Sequence, residues 1–191
     1  MRLLECLIGA GRQVYLMISQ AGHLVLRMEL DLEIPARPVQ AERFLSEYLQ
    51  AAPGQLQVFG QRQWTAPVAS GSNPPQALVV CPCTMGTLGS IAAGISGDLI
   101  DRAADVMLKE RRTLILVVRE TPFSAIHLEN MLRLARLGAV IMPANPGFYF
   151  KPQRVDDLVN FMVARVLNHL GVAHDLMPRW GGAGHEREDF Q

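Results

Sequence analysis

Apolar residues fall in short, nearly unbroken runs separated by stretches in which they recur every three or four positions. The runs occupy residues 14–18, 56–59, 77–81, 114–118 and 139–142, and continuous apolarity of that length is what a strand buried on both faces requires. Helical periodicity covers residues 1–8, with Leu3, Leu4 and Leu7 on one face, and then 41–51, 84–93, 99–110, 126–137 and 155–170. Ser19 is placed to cap a further helix that runs to about Glu29. Gly9 and Gly11 break the first helix, Arg37-Pro38 predicts a turn, and residues 64–75, rich in Pro, Ser, Gly and Asn, predict a loop. Strands alternating with helices across short joints imply an α/β fold with a parallel sheet covered by helices on both faces. Residues 1–173 then form one domain, and 174–191 a polar, Gly-rich tail.

Composition narrows the function. The chain has 191 residues, 49% of them hydrophobic and 19% charged, with zero formal net charge. That balance is ordinary for a globular domain with a sizeable core and gives no reason to expect nucleic-acid binding. The basic residues are lopsided: only Lys109 and Lys151 are lysines, and the other sixteen are arginines. Arginine makes planar two-point contacts with phosphate and carboxylate, although a GC-rich coding sequence gives the same bias. Cys6, Cys81 and Cys83 form neither a disulfide framework nor a metal-ligand spacing, so they read as reduced thiols of a cytoplasmic protein. No apolar run reaches membrane-spanning length, and no signal-peptide pattern opens the chain.

The charges around the run at 114–118 are the most informative. Lys109, Glu110, Arg111 and Arg112 precede it, and Arg119-Glu120 follows it. An arginine beside a glutamate where a buried strand meets a loop suits a site that grips a phosphate and moves a proton. In parallel α/β sheets, ligands bind beyond the carboxyl ends of the strands. That rule selects Ser19, residues 81–87, Arg119-Glu120 and residues 143–149. Thr84-Met85-Gly86-Thr87 follows a strand and opens a helix, which offers free backbone N–H groups and two hydroxyls to an anion or a ring edge. An ordinary helix cap accounts for the same four residues.

Colinear blocks give the chain a family resemblance. They are Cys81-Pro82-Cys83-Thr84-Met85-Gly86-Thr87-Leu88, Leu99-Ile100-Asp101-Arg102-Ala103-Ala104-Asp105-Val106, Leu108-Lys109-Glu110-Arg111-Arg112, Arg119-Glu120-Thr121-Pro122, His127-Leu128-Glu129-Asn130-Met131, Gly138-Ala139-Val140-Ile141, Pro146-Gly147-Phe148-Tyr149 and Gln153-Arg154-Val155-Asp156-Asp157-Leu158-Val159. With these the chain resembles the UbiX-like flavin prenyltransferases, closely from Cys81 onwards and more loosely before Pro75. The resemblance implies a three-layer, Rossmann-like (flavodoxin-like) fold. It also implies a reaction without metal, in which a dimethylallyl group passes from dimethylallyl monophosphate to N5 and C6 of reduced FMN. The prenylated FMN would serve a UbiD-type decarboxylase. The family assembles from trimers into a homododecamer, with FMN held at a subunit boundary.

Site residues carry over in the same way. Ser19, Thr84, Met85, Gly86, Thr87 and Arg119 match the FMN positions, and Tyr149 and Arg165 those of the prenyl phosphate. Lys109 and Arg102 are further candidates for holding the leaving phosphate. Trp64 and Trp180 are candidates for facing the isoprenoid, whose developing allylic cation favours an aromatic surface. Glu29 and Glu120 are the candidate proton handlers. Each also has a plainer reading: Arg102 pairing with Asp105 one turn on, Arg165 as the polar face of a closing helix, the tryptophans as surface anchors. No role is expected for His127 or His169.

One departure from the family pattern stands out. Members begin with a buried strand and a Gly-Ala-Ser-Gly-type loop that cradles the FMN phosphate and supplies a serine to the site, ahead of the first helix. Here Met1 falls inside that helix, and Gly9-Ala10-Gly11 follows it, so the expectation is a fold whose first strand and phosphate loop are missing. Two explanations are open: a start codon assigned too late, or a short chain that binds flavin weakly or not at all. Two other functions therefore stand beside the prenyltransferase: different chemistry on bound FMN, such as oxidative decarboxylation of a C-terminal cysteine, and a non-catalytic flavin-storage or partner subunit.

Overall fold

The structure, a computed structural model, describes residues 1–178. Helix α1 (Arg2–Gly9) leads into strand β1 (Val14–Met17), and α2 (Gln20–Leu30) and α3 (Pro38–Tyr48) precede β2 (Leu56–Phe59). A 3-10 turn at Pro67–Ala69 comes next. Then follow β3 (Ala77–Cys83), α4 (Met85–Ala93), α5 (Leu99–Lys109), β4 (Thr113–Val118), α6 (Ala125–Arg136), β5 (Val140–Pro143) and α7 (Val155–His169).

All strand pairs are parallel, as the alternating pattern requires. They form two sheets, β1-β2 and β3-β4-β5, with no ladder between β1 and β3. The strands have the expected parallel direction, and the two groups meet through packed side chains and a main-chain bond, with no ladder. Tyr15, Met17 and Phe59 pack with Leu78 of β3 around Ala66, Val68, Leu99 and Ala103. One residue strengthens this seam. Gln61 donates from its side-chain Nε2 to Ile18 O at 3.0 Å, and its main-chain carbonyl accepts from Leu99 N at 2.8 Å, at the start of α5.

In the three-stranded sheet the strand side chains alternate between two cores. Leu114, Leu116 and Val118 pack with α4, α5 and α6. Ile115 and Val117 pack with Val166 of α7 and Leu3 of α1. In the smaller sheet Val14, Leu56 and Val58 pack with Ala41 and Leu45 of α3 and Ile8 of α1. The largest departures from the expected boundaries are in α3 and β3. Helix α3 starts at Pro38 instead of Ala41, because proline suits the first helical position, where its missing N–H has no partner to lose. Strand β3 runs on through Pro82 to Cys83, which pairs with Val118 after a register shift. Proline is tolerated there because β3 lies at the edge of its sheet.

Candidate functional site

The carboxyl ends of β3, β4 and β5 line up. Cys83 pairs with Val118, which in turn pairs with Pro143. The ladder continues past the strands: Arg119 N donates to Cys83 O at 3.2 Å, and Ala144 N to Val118 O at 2.8 Å. Arg119 and Glu120 are thereby set beside the segment that opens α4. Thr84 caps that helix in extended conformation. Its Oγ1 accepts from Thr87 N at 3.4 Å and lies 3.2 Å from Thr87 Oγ1. The N–H groups of Met85 and Gly86 keep no intrahelical acceptor, so they carry the partial positive charge of the helix end. A side chain at Gly86 would meet nothing nearer than 3.9 Å, so the backbone there is open to a ligand. The Met85 side chain turns into the core, which leaves its backbone as the part able to face one.

Arg119 is exposed, and its guanidinium has no hydrogen bond or ion pair among the described residues. Half-buried Glu120 accepts from Thr121 N at 3.1 Å. Ser19 occupies the matching position on the smaller sheet: it follows β1, caps α2, and accepts from Gly22 N at 3.0 Å. An unpaired arginine, a capped helix start, two hydroxyls and a glycine suit an anion or the polar edge of a ring. Below them, the buried Cys83 thiol is pushed up to about 12, chiefly by burial and next by the charge of Asp101. It is therefore inert at neutral pH.

A second concavity lies along α7. Tyr149, Phe150, Phe161, Arg165, Asn168 and, from the chain beyond α7, Val172 to His174 with Met177 and Pro178 line a groove of about 360 Å3. The Phe150 and Phe161 rings stack at 5.4 Å, and Tyr149 meets each of them edge-on at 5.5 and 6.1 Å. Arg165, one turn after Phe161 on α7, places a cation at this aromatic wall. No residue of the strand-end cluster lines the groove.

The remaining candidates lie elsewhere in the chain. Lys109 ends α5 at the opposite end of β4 from Arg119, a strand length of roughly 17 Å, and it is paired with Glu110. The grouping of Lys109 with Arg119 in one site is thus not met within a single chain. Arg102 donates to Ala69 O at 3.0 Å and pairs with Asp105 at 2.7 Å, the plainer of its two readings. Glu29 is exposed near the end of α2, roughly 15 Å of helix from Ser19. Trp64 is half exposed in the loop after β2, and Trp180 lies outside the described residues. The sequence reading missed Phe150 and Phe161; their one signal was the four-residue spacing from Phe161 to Arg165. Among the described residues no group of three His, Cys, Asp or Glu could hold a metal ion, and no helix is long and apolar enough to cross a membrane.

Parallel strands ending in a capped helix start and an outward arginine define a nucleotide-binding α/β protein. Comparison with known proteins gives the particular kind. Residues 1–167 match the family described as Flavoprotein, and the chain belongs to that family, within it to the UbiX flavin prenyltransferases. It is 58% identical over 181 residues to the flavin prenyltransferase UbiX of Pseudomonas aeruginosa, covering 95% of this chain and 87% of that one. Among solved structures it is similar to AnUbiX in complex with FMN and dimethylallyl pyrophosphate, with a TM-score of 0.82, 38% identity, and coverage of 95% and 89%. It is also similar to a dodecameric FMN-dependent UbiX-like decarboxylase from Escherichia coli, with a TM-score of 0.82, 37% identity, and coverage of 95% and 91%.

Proposed function

We propose that this protein joins a dimethylallyl group from dimethylallyl monophosphate to reduced FMN, without a metal ion, and delivers prenylated FMN to a UbiD-type decarboxylase. It would work in the cytoplasm as a homo-oligomer, in the dodecameric form of its relative. The observation that carries this reading is the unpaired Arg119 beside the Thr84-capped start of α4, in a chain of this family.

Ser19, Thr84, Thr87 and the backbone of Met85 and Gly86 would hold the FMN, with Arg119 against its anionic side. The reduced flavin, when bound, supplies the nucleophilic positions that the dimethylallyl group joins. Tyr149 and Arg165 would grip the phosphate, whose departure needs fixed positive charge in place of a divalent ion. The stacked Phe150 and Phe161 faces would tolerate an allylic cation without reacting with it. Glu120, at the same strand end as Arg119, would take up the proton that alkylation releases. Lys109 and Glu29 lie away from the strand-end cluster in one chain. In this reading a neighbouring copy brings those two to a site at the subunit boundary, and Arg102, Trp64 and Trp180 complete the grip on the prenyl phosphate.

The test is direct. The purified protein, reduced FMN and dimethylallyl monophosphate are incubated anaerobically with EDTA, and the flavin is weighed by mass spectrometry. A flavin heavier by one prenyl unit is expected. An unchanged flavin, or carbon dioxide released from an aromatic acid by this protein alone, overturns the proposal.

A further inference from the structure

The chain turns back at the end of α7, through Gly171 at φ +64 and a bond from Val172 N to Leu167 O at 3.0 Å. Val172, Ala173, His174, Met177 and Pro178 then form one wall of the Tyr149–Arg165 groove. Two apolar anchors hold this wall: Val172 is buried against Val163 and Leu167, and Leu176 packs on the same cluster. Between the anchors sits one polar side chain, engaged at both ring nitrogens. His174 Nε2 is 2.9 Å from Asn168 Oδ1, and Nδ1 accepts from Leu176 N at 3.3 Å. A backbone N–H can only donate, so Nδ1 carries no proton; the ring proton is on Nε2 and is donated to Asn168. Only the neutral imidazole makes both contacts. A second proton, on Nδ1, would set two donors against each other.

We infer that His174 is a positioning residue for the groove. Through Asn168 and Leu176, and only as the neutral ring, it holds the 172–178 wall where the apolar five-carbon group of the substrate packs. This rests on the groove being the seat of dimethylallyl monophosphate. The charged or titratable groups around the ring are Arg165 and His169 on α7, Tyr149 across the groove and Asp175 next in the chain. Helix α1, packed against the same segment, carries Arg2, Glu5 and Cys6.

The experiment is steady-state alkylation of reduced FMN with varied dimethylallyl monophosphate. It compares the wild type with His174→Ala, His174→Gln, His174→Lys and Arg165→Gln. Losing both contacts in His174→Ala should raise KM for the prenyl phosphate about tenfold with kcat little changed. Glutamine offers one donor and one acceptor, so His174→Gln should restore KM. Lysine offers donors only and cannot accept from Leu176 N, so His174→Lys should raise KM as His174→Ala does. Arg165→Gln should also raise KM. If Arg165→Gln is impaired while His174→Ala or His174→Lys matches the wild type, the inference falls and the groove reading stands. If Arg165→Gln is unaffected, both fall. Should His174→Ala fail to fold, the comparison of His174→Gln with His174→Lys decides alone.

Discussion

Five of the six residues of β4 are buried, and helices cover both of its faces. By contrast α2, the helix that follows β1, has no buried residue, and Leu24, Met28 and Leu30 along it are exposed. Yet both regions supply the candidate site, Arg119 from the end of β4 and Ser19 from the cap of α2. A cation that must hold a fixed place as charge develops is better supported by a packed strand than by a loosely docked helix. The other region is suited to local opening, since segments with few buried contacts open well below the global unfolding free energy. In this comparison the grip belongs to the three-stranded half and adaptability to the two-stranded half.

The largest test of that contrast is structural. Leu116→Ala should cost about 4 kcal/mol of unfolding free energy, whereas Leu24→Ala should stay within about 0.5 kcal/mol; urea titration of both gives the answer, and equal costs would dissolve the contrast. Next in size, Arg119→Gln should lower flavin alkylation about 100-fold with an unchanged melting temperature, because the guanidinium makes no contact that folding depends on. A third comparison sets two caps against each other. Asp98 accepts from Ile100 N and Asp101 N at 2.9 and 3.0 Å, so Asp98→Ala should cost about 1 kcal/mol. Ser19→Ala should cost less, because α2 contributes little to global stability, and should instead weaken FMN binding in a flavin fluorescence titration.

The smallest effect concerns Asp101, the one buried charged side chain among the described residues. Burial raises its carboxyl above the ordinary 3.8, and the Asp98 charge adds to the shift. A carboxyl raised by folding stabilises the fold while protonated, and that contribution is lost as pH rises through the folded value. At neutral pH the ionised group is therefore a cost. Asp101→Asn keeps an acceptor for Gly97 N, 3.2 Å away, and should raise the melting temperature by a degree or two at pH 7. Below pH 3.8 the difference from wild type should vanish.

Most of this arrangement is legible in the sequence because it depends on local periodicity. Strand β2 falls on its expected residues, and α4 begins one residue after the expected cap at Thr84. The strand-end rule also selects Ser19, Thr84 and Arg119 from the sequence, since each follows a buried run. What escapes is whatever depends on distance through space. Lys109 and Arg119 stand ten positions apart and read as one charged cluster, but an extended strand carries them to opposite ends of the sheet. The aromatic groove escapes because Phe150, Phe161 and His174 come from three separate segments that share no period. The break between β1 and β3 leaves no trace in the two runs, apolar whether or not they pair; the expectation that bore on it was the missing first strand of the family pattern.

Gln61 gives this break a mechanical meaning. Its side-chain amide holds Ile18 O at the end of β1 and its main-chain carbonyl accepts from Leu99 N at the start of α5, so one residue rivets the two elements across a seam that has no strand ladder. A pull that shears the first sixty residues past the rest works against that rivet, the side chains around Ala66 and Val68, and the packing of Leu3 and Leu7 of α1 against α7. Load across the seam is thus borne by packed side chains instead of a ladder.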